Sequence, residues 1–343
     1  MTLDAFLQTM PIGVLLLLLV GFLLILAKGA DILVEQAVAL ASRLGLPAVI
    51  IGATIVSLGT TLPEAAVSVM AAIQGKPELA LGNAVGSIIC DAGLIIGIGA
   101  LLRPLPIDPI IVGRQGWIQL AAGCLLVVCT LPFGNLGSIL TEGGRLPQAA
   151  GFLFVFLLVV YLVWSVHFAK TTQRSLAIPP APPQEAPLQR PPVAIFLHLL
   201  LGIGLVLLAS KLTIPTAQTL AIRIGIPPEV IAVTLVALGT SLPELVTVLA
   251  SVRKGRGDLA IGNVIGADIL NVLFVAGLSA AVTADGLAAG PAFYTRFFPV
   301  MLLLLIVFRI GLSGGRTHLG RGFGAVLLGI YLLFIALSPM AKG

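Results

Sequence analysis

The sequence predicts an all-α polytopic membrane protein of about ten transmembrane helices, arranged as two inverted five-helix repeats with helices broken at the membrane midplane. Three observations carry this prediction: a deficit of charge, a recurrence of long apolar runs, and an internal duplication. The 343-residue chain is 58% hydrophobic and only 10% charged, with a mean hydropathy of +1.14. A soluble domain carries roughly 25% charged residues, so most of this outer surface must face lipid. Apolar runs of about 20 residues recur, each long enough to span a bilayer. In hydrocarbon every backbone polar group needs an internal partner, which selects helices or closed barrels. Runs such as Leu15–Leu26 and Met301–Phe308 lack the period-two alternation of a barrel strand, so the spans are helices.

The apolar runs place spans at about 11–28, 47–73, 79–101, 109–131, 149–168, 195–212, 227–252, 259–282, 291–312 and 322–339. The first and sixth continue as amphipathic helix toward residues 43 and 223. The first span follows no basic stretch and no small-residue cleavage site, so it is expected to be retained rather than removed as a leader. Between the fifth and sixth spans, residues 169–193 hold a Pro-rich stretch that builds no packed core and reads as a semi-rigid cytoplasmic linker. The chain thus divides into a first repeat, 1–168, the linker, 169–193, and a second, inverted repeat, 194–343.

The duplication is direct. A shift of 180 residues lays Leu44–Ala100 over Ile224–Ala280, and about 20 of those 57 positions are identical. Identities concentrate in two blocks. Gly59-Thr60-Thr61-Leu62-Pro63-Glu64 matches Gly239-Thr240-Ser241-Leu242-Pro243-Glu244. Leu79-Ala80-Leu81-Gly82-Asn83 with Gly86 matches Leu259-Ala260-Ile261-Gly262-Asn263 with Gly266. A repeat with an odd number of spans ends on the side opposite its start, so its second copy inserts upside down. With the linker inside, the inner loops hold twelve Lys and Arg, among them Arg43, Arg103, Arg253 and Lys254, against six on the other side. Both termini then lie outside the cytoplasm, in the plasma membrane or, for a bacterium, the inner membrane.

Glu64 and Glu244 fall deep within apolar spans that contain no Lys or Arg to neutralise them. A carboxylate at the bilayer centre costs at least ~2.5 kcal/mol, so it needs a partner. Two such groups from symmetry-related positions make a divalent-cation site, and oxygen-only ligation suits a hard ion such as Ca²⁺. Pro63 lacks an N–H and clashes with the carbonyl of Gly59, which breaks the helix there; Pro243 and Gly239 repeat the device. Freed carbonyls, with the hydroxyls of Thr60, Thr61, Thr240 and Ser241, are oxygen ligands beside the glutamates, as at the discontinuous helices of transporters. In the next span Gly82, Gly86, Gly262 and Gly266 allow close helix approach. Ser87 and Asp91 share a helix face, with Ala267 and Asn271 as repeat counterparts. Asn83 and Asn263 cap the spans or bind across helices, and Asp268 is a fourth carboxylate that tunes the site or packs on the lipid side. Asp31 and Glu35, at i, i+4 on the extension of the first span, face water at the interface or line an access path.

Other chemistry is absent. The basic residues are scattered between spans, which gives no nucleic-acid partner. Cys90, Cys124 and Cys129 show no redox or ligand spacing. No nucleophile elbow, Walker loop or His-Glu-x-x-His helix is present, so no enzymatic activity and no cofactor is expected, only transported ions.

The paired Gly-Thr-Thr/Ser-Leu-Pro-Glu and Gly-Asn-x-x-Gly blocks resemble the alpha repeats of the calcium/cation antiporter superfamily, the sodium/calcium exchangers. The resemblance implies a secondary active antiporter that exchanges Ca²⁺ for Na⁺, or for H⁺ in some branches. It implies a Ca²⁺ site of Glu64, Glu244, Thr60 and Thr240, the threonines mainly through their carbonyls. It implies one Na⁺ site of Ser57, Thr60 and Ser87 with Glu244, and another of Ala237, Thr240 and Ser241 with Glu64. Asp91 and Asn271 would sit between the glutamates as a central polar or proton site, while Thr61, Asp268, Asn83 and Asn263 tune the surroundings. The first and sixth spans would slide against the other eight. The family's Gly-Ser-Asn reads Gly86-Ser87-Ile88 and Gly266-Ala267-Asp268 here, and Ala267 removes a hydroxyl expected at one outer Na⁺. Ca²⁺/H⁺ exchange on the same carboxylates and a passive cation channel are the alternatives.

Overall fold

The computed structural model describes residues 3–176, 191–224 and 239–337. The described residues form a bundle of helices with four very short strands. A short helix α1 (Leu3–Thr9) leads into the long α2 (Ile12–Leu44), which ends at Gly45 in the left-handed conformation. Next come α3 (Ala48–Thr60) and α4 (Leu62–Ile73), bent by 45° at the break, then α5 (Pro77–Leu102). Strand β1 (Leu105–Pro106), α6 (Ile111–Thr130), strand β2 (Gly144–Leu146) and α7 (Gln148–Leu176) follow. After the linker come α8 (Pro192–Arg223), α9 (Leu242–Arg253) and α10 (Gly257–Ala281). Strand β3 (Leu287–Ala289), α11 (Phe293–Gly311), strand β4 (His318–Leu319) and α12 (Arg321–Leu337) complete the described chain.

Among the described residues seven helices are long and apolar enough to cross a membrane, or eight with the bent α3–α4 pair taken as one span; α12 is shorter and equally apolar. Their outer faces carry exposed Leu17, Leu24, Phe156 and Val163, an apolar exterior that hydrocarbon tolerates and water does not. The protein is an all-α polytopic membrane protein. The first and sixth spans do extend as single helices to residues 44 and 223, as expected from their amphipathic continuations. Helix α7 runs to Leu176, eight residues beyond the boundary drawn at 168, and α8 begins at Pro192. The rest of the linker and the first half of the seventh span lie outside the described residues.

Helices in lipid gain little from burying apolar surface against one another, so they associate where small residues let backbones touch. Helices α2 and α8 pair in this way. A Cβ on Gly29 would stand 3.0 Å from the Val206 backbone nitrogen, and one on Gly202 would stand 2.7 Å from that of Leu33. The almost fully buried α10 seats on α3 by the same device. A Cβ on Gly262 would lie 2.1 Å from the Val49 carbonyl oxygen, and one on Gly266 would lie 2.5 Å from Ser57 Oγ. Gly262 and Gly266 are therefore packing residues. Gly82 and Gly86 meet no comparably close neighbour among the described residues.

Two antiparallel ribbons join loops from the two halves. Strand β1 pairs with β4, Leu105 opposite Leu319, and β2 pairs with β3, Leu146 opposite Leu287. Ion pairs do the same at the bundle ends. Arg253 and Lys254, at the end of α9, reach Asp31 and Glu35 on α2, with Lys254 Nζ 2.6 Å from Glu35 Oε1. Asp31 and Glu35 are thus ion-paired rather than simply solvated.

Candidate cation-binding site

The break between α3 and α4 follows from local sequence. Pro63 occupies the first turn of α4, where its missing N–H removes no helical bond. A proline there cannot coexist with an unbroken preceding turn. The chain turns at Thr61, whose backbone nitrogen still donates to the Ser57 carbonyl at 2.9 Å. Glu64 consequently sits in the first turn of α4, and Glu244 in the first turn of α9. The start of a helix carries partial positive charge and favours an anionic side chain.

Both glutamates are 1% exposed. Glu64 lies within electrostatic reach of Glu244 and Asp91. Both oxygens of Glu64, both of Asp91 and Oε2 of Glu244 have no hydrogen-bond partner. None of these groups forms an ion pair among the described residues. Thr61 Oγ1 donates to Glu244 Oε1 at 3.3 Å, so one signature segment touches the carboxylate of the other. Thr60 also stands beside Glu244, and Thr240 beside Glu64. Asn83 ties the two further. Its Nδ2 donates to Ser68 Oγ at 3.0 Å and to the Glu64 carbonyl at 3.4 Å, while its Oδ1 accepts from Thr240 Oγ1 at 3.3 Å. Asn83 thus bonds across helices, whereas Asn263 is buried with both amide atoms unpartnered.

The remaining expected residues are distributed around this centre. Ser57, Ser87 and Ser241 are buried; Ser57 Oγ bonds the Thr54 carbonyl at 3.2 Å, and Ser241 lies beside Asp91. Asp91 and Asn271 are each 1% exposed, and each sits at the start of a π-helical turn, Cys90–Ile95 and Asn271–Ala276. Such turns widen the helix and leave backbone oxygens without their usual partner. Asp268 is buried, with Oδ2 accepting from Gln119 Nε2 at 2.5 Å. Ala237 lies outside the described residues. Among the described residues no three His, Cys, Asp or Glu side chains converge as a ready-made metal cage. An ion held here must combine carboxylates with hydroxyl and carbonyl oxygens.

Several contributors were not singled out from the sequence. Gln119 and Gln115 sit at i, i+4 in a largely apolar span, a polar pairing that was legible in principle; Gln115 donates to Ser165 Oγ at 2.6 Å. Ser68, one turn beyond Glu64, and Tyr161, whose hydroxyl donates to the Ala53 carbonyl at 3.3 Å, had no distinguishing pattern. Nor did the π turns, which no residue type announces.

The arrangement has counterparts in known proteins. The family described as sodium/calcium exchanger protein matches residues 14–167 and 194–340. The inner membrane protein YrbG of Escherichia coli is 36% identical over 330 residues, covering 94% of this chain and 97% of the relative. The sodium/calcium exchanger MaX1 of Methanosarcina acetivorans is 31% identical, covering 93% of this chain and 97% of the relative. A structure of the sodium-calcium exchanger NCX_Mj, soaked with Na⁺ and Sr²⁺, superimposes with a TM-score of 0.77 at 25% identity, covering 95% of this chain and 99% of that one. Both halves of the chain, with their paired acidic segments, are matched along nearly their whole length, and the protein belongs to the sodium/calcium exchanger protein family.

Proposed function

We propose that this cation antiporter exchanges Ca²⁺ for Na⁺ by alternating access, with both ions competing for Glu64 and Glu244. The observation that carries the proposal is the burial of these two carboxylates, one from each repeated segment, with Thr61 of the first segment bonded to Glu244 of the second and no basic partner for either among the described residues. The Ca²⁺ ligands are Glu64, Glu244, Thr60 and Thr240. Na⁺ takes Ser57, Thr60 and Ser87 with Glu244, and Ala237, Thr240 and Ser241 with Glu64, around the central Asp91 and Asn271. A site with two uncompensated charges crosses the hydrocarbon barrier only at high cost. Access therefore switches when the site is loaded, which enforces exchange over leak.

The accompanying architecture is ten spans in two inverted repeats, 1–168 and 194–343, with the 169–193 linker and the basic inner loops cytoplasmic and both termini outside. Loop contacts favour this topology. The partners β1 and β4 fall on loops that it assigns to the inside, as do Asp31 and Arg253. The partners β2 and β3 fall on loops assigned to the outside, as do Arg145 and Asp285. The close pairing of α2 with α8 favours their moving as one unit against the rest.

The test is ⁴⁵Ca²⁺ uptake by liposomes holding the purified protein. An outward Na⁺ gradient should drive uptake, and a pH gradient in Na⁺-free vesicles should not. The reverse result establishes Ca²⁺/H⁺ exchange, which the extra buried carboxylates Asp91 and Asp268 and the missing hydroxyl at Ala267 favour. Flux without any counter-ion establishes a channel.

A further inference from the structure

Asp268 stands apart from the two glutamates. It projects from α10 toward α6, is 1% exposed, and holds Gln119 Nε2 on Oδ2 at 2.5 Å. Its Oδ1 has no partner. Asn271, three residues on, is equally buried and leaves its own Oδ1 unpartnered. Residues three apart on a helix lie on one face with Cβ atoms ~5–6 Å apart, close enough for both oxygens to meet a single ion. The charged groups within reach of Asp268 are Asp91 and Glu244, both negative. No Lys, Arg or His pairs with it among the described residues.

The charge count is unbalanced. Glu64, Glu244, Asp91 and Asp268 make four buried carboxylates, and one divalent ion compensates two of them. A neutral acid at Asp268 would need an acceptor for its hydroxyl. Oδ2 faces an amide donor instead, and Oδ1 faces nothing. A small cation satisfies the charge and needs no acceptor. Oxygen donors of carboxylate and amide type suit a hard ion.

We propose that Asp268 Oδ1 and Asn271 Oδ1 form a further monovalent-cation position, occupied by Na⁺, and that Gln119 is the positioning residue that fixes the carboxylate. The proposal rests on the antiport reading and deepens it by adding a Na⁺ position next to the place where Ala267 lacks a hydroxyl.

Equilibrium ²²Na⁺ binding to the full-length protein in detergent, free of Ca²⁺ and at fixed pH, tests it without requiring transport. Asp268→Asn should bind one fewer Na⁺ per chain than the natural protein. Asp268→Ser should lose the same ion, which keeps the test decisive if Asp268→Asn does not fold. Gln119→Leu should retain the number but bind the last Na⁺ about tenfold more weakly. An unchanged count in Asp268→Asn overturns the proposal, as does a changed proton balance with Na⁺ binding unaltered. Na⁺ binding that depends on Asp268 in a protein that performs no Na⁺-driven Ca²⁺ flux would refute the antiport reading and leave this position standing.

Discussion

Thr61 donates its hydroxyl to Oε1 of Glu244 at 3.3 Å, although 183 positions separate them in the chain. The bond joins the break after α3 to the first turn of α9, so the geometry of one repeat is set by the other. A residue that only kinked its own helix would not need to do this.

Removing either carboxylate should remove exchange. Glu64→Gln and Glu244→Gln each replace a buried carboxyl, proposed above as an ion ligand, by a neutral amide, and neither carboxyl has a basic partner among the described residues. Loss of one charge-assisted interaction of ~1.5–3 kcal/mol corresponds to about tenfold or more in affinity. Na⁺-driven ⁴⁵Ca²⁺ uptake by either variant should fall at least that far. Full retention would end the shared-ligand mechanism.

Thr61→Val should weaken Ca²⁺ binding in the same direction but less, because Glu244 loses one donor and keeps its charge. A change of ~1 kcal/mol, about fivefold in affinity, is expected. Thr61→Ser should restore it. Isothermal titration with Ca²⁺ separates the three proteins.

Asn83→Leu should cost stability as well as function. It deletes contacts to Ser68, the Glu64 carbonyl and Thr240 at once. Interhelical bonds in membranes contribute ~0.6–2 kcal/mol each, so a loss of about 2–6 kcal/mol is expected for the three, read as a lower unfolding temperature in detergent. An unchanged melting temperature would mean that these contacts do not hold the helices together.

Glycine positions should divide sharply. Gly262→Ala places a methyl 2.1 Å from the Val49 carbonyl oxygen, and the seat of α10 on α3 must open. Overpacking of this kind costs ~1–3 kcal/mol or more. Gly329→Ala, within α12, meets nothing within 4 Å and should be neutral or slightly stabilising. Monodisperse yield and melting temperature of the two variants check the contrast.

The ion pairs between α2 and α9 should affect rate more than stability. Asp31 and Glu35 meet Arg253 and Lys254 near the bundle end, where such pairs contribute roughly 0–1 kcal/mol each. The repeat counterparts, Lys211, Pro215, Ile73 and Gln74, cannot form them. Neutralising Asp31 and Glu35 together should change the exchange rate about two- to fivefold. The paired reversal Asp31→Arg with Arg253→Asp should return the rate toward its natural value.

The chain by itself determined the environment, the periodic apolar runs, the 180-residue duplication and the identity of the two central glutamates. Each of these is a local or compositional property: lipid exposure sets the charge deficit, and Pro63 four residues after Gly59 dictates a break wherever the helix lies. The tertiary structure decided which oxygens meet. Asn83 belongs to the first repeat, yet it binds Thr240 of the second. Gln119 on α6 became the partner of Asp268 on α10, and Asp91 and Asn271 came to lie in π turns. Those outcomes depend on how helices far apart in sequence come to rest against small residues such as Gly262 and Gly266. A duplicated motif signals that two sites exist. The contact between them is fixed only when backbones pack to within a few ångströms, and periodicity carries no record of that distance.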